Sequence, residues 1–368
     1  MKEKTVAGND QIVGGIMSFA RLLSFSSLLT SLILVTGCNS TKPSSPEPGS
    51  VAPNSTAVTQ KQIPDADKAQ LLQDVKDLPP SGDEVVDGTR RFNGWFFKAN
   101  KITFKSGSVL LFTKQAQANR RQFFVIAKEI VVEDANNPGK IAWEKGDVPA
   151  PPSSAGEAPA GADGGENAAG LPGAAGGPGT KGYDGPAAPS IVLIILRVPN
   201  SGPLVDLTGQ DGSQGGSGQQ GGKGGKGGTG NSASQNAFNC NRGAGNGGPG
   251  GTGGPGGQGG KGGTGGDGGI FTLISTTDNL PSLTQKFRIL YAGGHGGIPG
   301  QGGSGGVGGH GGDGGAEQRP YCTGHGSQGP TGNTGGAGPV GTNGDNGKEG
   351  DYTVGGITQD QFNQYVWK

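Results

Sequence analysis

The chain has 368 residues, 81 of them glycine, and 29 Lys plus Arg balance 29 Asp plus Glu. A formal charge of zero leaves no basic field to draw it to nucleic acid. Hydrophobic residues make up 30%, so an apolar core can occupy only part of the chain and backbone bonding must hold the rest.

Residues 1–37 read as a signal segment. The apolar stretch from Leu22 to Val35 ends in Leu34-Val35-Thr36-Gly37-Cys38, and Met17 followed by Ser18-Phe19-Ala20-Arg21 offers an alternative start. The stretch is short for a membrane span. It resembles a bacterial lipoprotein signal with its lipid-accepting cysteine. The resemblance implies that Cys38 carries lipid, that the partner at this end is a membrane, and that the location is the cell envelope. Asn39 after Cys38, in place of aspartate, favours the outer membrane. Residues 38–63, rich in Pro, Ser and Thr, read as a flexible tether. Residues 64–90 read as a short helix over 65–77, stopped by Pro79-Pro80, and a linker.

Residues 91–147 form a β-rich base. Residues 96–104 (FFKANKITF) and 124–132 (FVIAKEIVV) align at an offset of 28, matching Phe96 with Phe124, Ala99 with Ala127 and Ile102 with Ile130. Each copy continues into a second strand after a turn, which predicts stacked turns of a β-solenoid. An ordinary antiparallel sheet is the competing reading.

From 148 to 351 strand pairs alternate with glycine. The apolar segments 191–198 (IVLIILRV), 204–207, 270–275 (IFTLIS) and 287–291 (FRILY) read as strands. Between them glycine recurs at every third residue, strictly over 170–185, 209–230, 245–269, 294–315 and 326–350. A period of three is that of a left-handed extended helix, which makes no internal hydrogen bonds and must find partners in neighbouring runs. A flexible linker has no reason to keep such register, and a collagen trimer is disfavoured by the many triplets with two glycines, as in Gly221-Gly222-Lys223. The Gly-Gly-X pattern resembles the polyglycine-II bundles of springtail antifreeze proteins and of some phage tail-fibre adhesin tips. The expected fold is therefore mainly β and irregular, with solenoid-like strand rungs and glycine-rich excursions packed as a polyglycine-II bundle. Residues 352–368 close the base.

Each excursion runs out, turns and returns. The turns, NSASQNAFNCNRGA and AEQRPYCTGH, each hold one of the remaining cysteines, Cys240 and Cys322, which places both at the same distal end. Export to an oxidising compartment favours a disulfide between them; free thiols or pairing between chains are the alternatives. Phe238, Asn239, Asn241, Arg242, Arg319, Tyr321 and His325 then gather at the tip, a composition that recognition surfaces use.

No catalytic constellation stands out, and no cofactor or metal is called for. His295, His310 and His325 are the only histidines, and 295 and 310 lie too far apart on one run to share a metal. The carboxylates Glu129, Glu133, Asp134 and Glu144 read as rung-surface or turn charges. These features imply a non-enzymatic surface adhesin or recognition protein whose tip meets a surface glycan or protein. A structural spacer or self-assembling envelope component is the alternative, with ice binding or a collagen-like trimer further behind. The sequence leaves the oligomeric state open.

Overall fold

The structure is a computed structural model that describes residues 60–151 and 156–367. Cys38, the signal segment and nearly all of the tether lie outside these residues. In chain order the elements are β1 Lys61–Gln62, α1 Asp65–Val75, β2 Glu84–Val86, β3 Thr89–Phe92, β4 Phe96–Phe104, β5 Val109–Phe112, α2 Lys114–Asn119, β6 Gln122–Val132 and β7 Lys140–Trp143. There follow β8 Ser190–Arg197, β9 Leu204–Asp206, β10 Ser234–Gln235, β11 Cys240–Arg242, β12 Ile270–Thr276, α3 Leu280–Leu283, β13 Ile289–Leu290, β14 Asp351–Ile357 and α4 Gln359–Gln361, which continues into a π-helical turn, Phe362–Val366.

Twelve of these strands make two parallel sheets, one of seven in the order β1-β14-β12-β8-β6-β4-β2 and one of five in the order β13-β9-β7-β5-β3. Register follows the apolar pattern: Phe96 lies opposite Phe124 and Ile102 opposite Ile130. The central strands β6 and β8 are almost continuously apolar because both faces of the larger sheet are covered. One face, with Phe123, Val125, Ile191, Leu193 and Phe271, packs on Leu110, Phe112, Ile141 and Val205 of the smaller sheet. Phe112 and Phe123 stack across this interface with ring centroids 4.5 Å apart. The opposite face, with Phe124, Ile126, Val192, Ile194 and Ile274, packs under Leu71, Leu72 and Val75 of α1 and under Phe362 and Val366. Each such aliphatic side chain contributes roughly 1.5–3 kcal/mol on burial.

The expected fold class is corrected by this arrangement. Two parallel sheets of seven and five strands with a few short helices form a mixed, α/β-like fold, and no solenoid is present among the described residues. A solenoid coil contacts only its neighbours along the stack and turns an outer face to solvent. Here helical segments from both ends of the described chain cover that face, so the base is layered helix on sheet on sheet.

The glycine-rich segments form six extended runs: 157–167, 168–188, 209–231, 245–269, 293–315 and 326–350. Runs 1, 3 and 5 make one layer and runs 2, 4 and 6 the other. Within a layer neighbours are parallel, with bonds from Gly164 N–H to the Lys226 carbonyl (2.7 Å), Gly218 to Gln301 (2.8 Å), Gly179 to Gln258 (2.8 Å) and Gly256 to Gly336 (2.9 Å). Between layers they are antiparallel, as in Gly222 to Ala174, Gly257 to Gln219 and Gly303 to Gly257, each 2.8 Å. Every ladder repeats at intervals of three residues.

The layers continue the sheets. Runs 1, 3 and 5 follow β7, β9 and β13, neighbours in that order in the smaller sheet; runs 2, 4 and 6 lead into β8, β12 and β14, neighbours in the larger one. In the base the two sheets are held apart by interdigitating side chains. In the runs the backbones of the two layers meet directly: a Cβ on Gly256, in run 4, would lie 1.9 Å from the carbonyl oxygen of Gly303, in run 5.

Run 3 shows what sets the glycine content. Beyond residue 220 run 1 lies beside it, and a Cβ on Gly222 would come within 1.9 Å of the Pro159 carbonyl. Nearer the base, Ser213 and Gln219 stand at equivalent positions and their side chains take over this bonding: Ser213 Oγ accepts from Tyr183 N–H (2.7 Å) and Gln219 Oε1 from Gly177 N–H (2.9 Å). A second recurrent device is an Asp-Gly or Asn-Gly step that grips one residue of the next run in its layer. Asp211 Oδ1 accepts the His295 N–H (2.7 Å) while the Gly212 N–H donates to the His295 carbonyl (2.9 Å). Asp163, Asp184, Asn246 and Asp267, each followed by glycine, grip Lys226, Thr264, Ser327 and Lys348 in the same way.

Candidate functional site: the distal tip

The run 3–4 connection and the run 5–6 connection project beyond the runs at the end away from the base. In the first, β10 and β11 pair as a short antiparallel hairpin. Asn236 shapes its turn, because Asn236 Oδ1 accepts the N–H groups of both Phe238 and Asn239 at 2.9 Å. This leaves Phe238 at the apex, 84% exposed. In the second, Gln318 and Cys322 exchange backbone bonds of 2.9 Å around a cis Arg319-Pro320 peptide. Gly324 then takes φ +102, where a side chain would be strained.

Two links made through side chains join the hairpins. Cys240 and Cys322 form a disulfide with Cα atoms 4.9 Å apart, closing 82 residues of sequence. In the chain-entropy model a loop of that size contributes about 4–5 kcal/mol. Gln235 supplies the second link: its N–H donates to Gln318 Oε1 (2.9 Å), its side-chain amide donates to the Arg319 carbonyl (2.6 Å), and its Oε1 accepts from the Tyr321 N–H (2.9 Å).

Electrostatics at the tip centre on Glu317. The Gly324 N–H (3.0 Å) and Arg319 Nε (2.7 Å) both donate to its carboxylate, and His325 Nε2 stands 3.8 Å away. These donors, the Gly324 N–H foremost, hold the Glu317 carboxyl below the usual glutamate range. Arg242 donates only one long bond, 3.3 Å, to the Ser232 carbonyl.

All seven residues singled out in the sequence lie on these two hairpins and are exposed. The structure joins their supports more than their side chains: Arg319 and His325 share Glu317, Arg242 rests on its own hairpin, and Phe238 and Tyr321 stand out separately. Gln235, Gln318 and Glu317, which organise the tip, were not singled out. Their only signal is position within the turning segments, because nothing in a single hairpin says that a glutamine will bridge to another.

Elsewhere the surface offers less. A cleft of about 490 Å³ at the turn end of the sheets is lined by Lys140, Lys286 and Arg288, but Lys140 pairs with Asp206, and Lys286 is held by the Val198 and Pro199 carbonyls. Among the described residues no His, Cys, Asp and Glu group of three or more could hold a metal ion, and no helix is long and apolar enough to cross a membrane.

No protein-family model and no curated protein matches the chain. Among solved structures, the nine polyproline type II helical bundle springtail antifreeze protein from Granisotoma rainieri is 28% identical, with 48% of this chain and 93% of that chain covered, at a TM-score of 0.10. At that score the likeness carries no argument about fold or function.

Proposed function

We propose that the protein is a non-enzymatic contact protein of the cell envelope, anchored by lipid at Cys38 and presenting the distal tip to a glycan or protein ligand. The observation that carries this reading is the joining of the two hairpins. A disulfide and the Gln235 bridge hold loops that display Phe238, Tyr321, Arg242 and Arg319 to solvent. Passive connectors between runs need no such crosslinks. Aromatic and arginine side chains on a pre-ordered surface lose little entropy on contact.

The length and regularity of the runs favour a second reading, a spacer that sets a distance within the envelope. The triple substitution Phe238→Ser, Arg242→Ser and Tyr321→Ser separates the two. Contact with the target surface should fall at least about tenfold, as expected when two or more anchors are lost, while the melting temperature stays within a few degrees. Unchanged contact by the folded variant would leave the spacer reading.

A further inference from the structure

We infer that the six-run rod is an inextensible load-bearing strut, in which a pull on the tip travels along covalent backbone into the base and is divided between two hairpins by the Cys240–Cys322 disulfide. This stands whether or not the tip is the contact site.

The first argument is length. A chain that repeats its bonds every three residues in extended form rises about 3.1 Å per residue, against a limit of about 3.3–3.6 Å for any polypeptide. Losing every bond made by run 4, residues 245–269, would therefore lengthen it by no more than ~12 Å. A helix of the same residue count would more than double in length under the same load. The rod holds no slack.

The second argument is where the ends go. Run 3 leaves β9 and run 4 enters β12; run 5 leaves β13 and run 6 enters β14. Strand β12 lies between β8 and β14 and pairs with β14 from Ile270 opposite Asp351 to Thr276 opposite Ile357. Because each layer continues a sheet in the same order, with the same parallel bonding, force along the rod acts along these strands. All bonds of a ladder then share the load in shear. Force across the rod would open the same bonds one at a time.

The third argument is the tip. A load applied at Phe238 enters runs 3 and 4 directly. Through the disulfide it also enters runs 5 and 6, so four strand junctions share what two would carry.

Single-molecule measurements on the whole chain test this. Dyes placed at Gly243, where an added side chain meets nothing within 4 Å, and at exposed Ala292 report rod length. Their separation should be roughly 75 Å at rest and should grow by no more than ~12 Å under axial load. A resting separation near 40 Å, the value for a flexible glycine-rich coil, with growth of tens of ångströms under load, would overturn the proposal. A second arm pulls the hairpins apart sideways through handles at Ala237 and Pro320. The oxidised tips should stay closed. After dithiothreitol treatment of the folded protein they should peel in small steps, at a force several-fold below any that lengthens the rod axially. Equal resistance to sideways and axial load after reduction contradicts shear loading and divided load alike. Cys322→Ser provides the same comparison without reductant.

Discussion

At the level of single residues, glycine in the runs is required by contact in some places and only tolerated in others. Gly257 sits between runs, with the Gly177 carbonyl where its Cβ would be, whereas Gly336 on run 6 has nothing within 4 Å of that position. Gly257→Ala is expected to destabilise by several kcal/mol, since the obstruction is backbone and cannot rotate away. Gly336→Ala should be neutral or stabilise by up to ~1 kcal/mol through the unfolded state. Thermal melts of the two variants check this, and equal losses would contradict the packing described. Tyr352 makes a second residue-level case. Its hydroxyl is buried without a partner, and burial pushes its pKa up to about 12. The neutral form is favoured in the fold, so the stability linked to it is complete below the ordinary tyrosine value near 10 and is lost as pH rises from there towards 12. Tyr352→Phe should flatten the fall in melting temperature over that interval and cost little at neutral pH; an unchanged alkaline slope would contradict it.

Among elements, the strands were largely legible and their partners partly so. The segments IVLIILRV and IFTLIS became β8 and β12 within a residue at each end, because a strand buried on both faces is a continuous apolar run. The strand β14, DYTVGGI, is not legible in the sequence because Gly355 and Gly356 interrupt its pattern. Both are tolerated in a strand already fixed by β12 on one side and β1 on the other. The role of the Asp-Gly and Asn-Gly steps is not legible in the sequence either, since such dipeptides ordinarily mark turns. Their effect is local: Asp211→Ala should speed hydrogen exchange at the His295 amide, which loses its acceptor, and leave the Gly212 amide protected by the His295 carbonyl. If the His295 amide remains equally protected, the side-chain grip is not what shields it. Among the ion pairs between runs, Lys226 with Asp313 and Lys261 with Asp345 are exposed and add little.

For the whole molecule, the tip and the base are coupled through the runs and by the disulfide. Cys322→Ser removes a crosslink that spans 82 residues and should lower stability by about 2–5 kcal/mol, read as a drop in melting temperature that dithiothreitol reproduces in the unaltered protein. Equal stability with and without reductant would mean that the Gln235 bridge alone fixes the tip. The candidate site was legible to the extent that both cysteines fell in turns between matched runs. How its two hairpins are joined was not, because the bonds between them link residues more than 80 positions apart, such as Gln235 to Arg319.

The order of amino acids settled what each stretch of chain could do locally. Glycine at every third position forbids a buried side-chain core and compels extended runs whose amide and carbonyl groups need outside partners; the apolar segments compel strands. Which run lies beside which is a tertiary outcome. A backbone bond between two glycine runs is the same bond wherever it forms, so the runs themselves discriminate little among neighbours. Their order comes from the base, where distinct side chains fix β13-β9-β7 and β14-β12-β8, and the two layers carry that order outward to the tip.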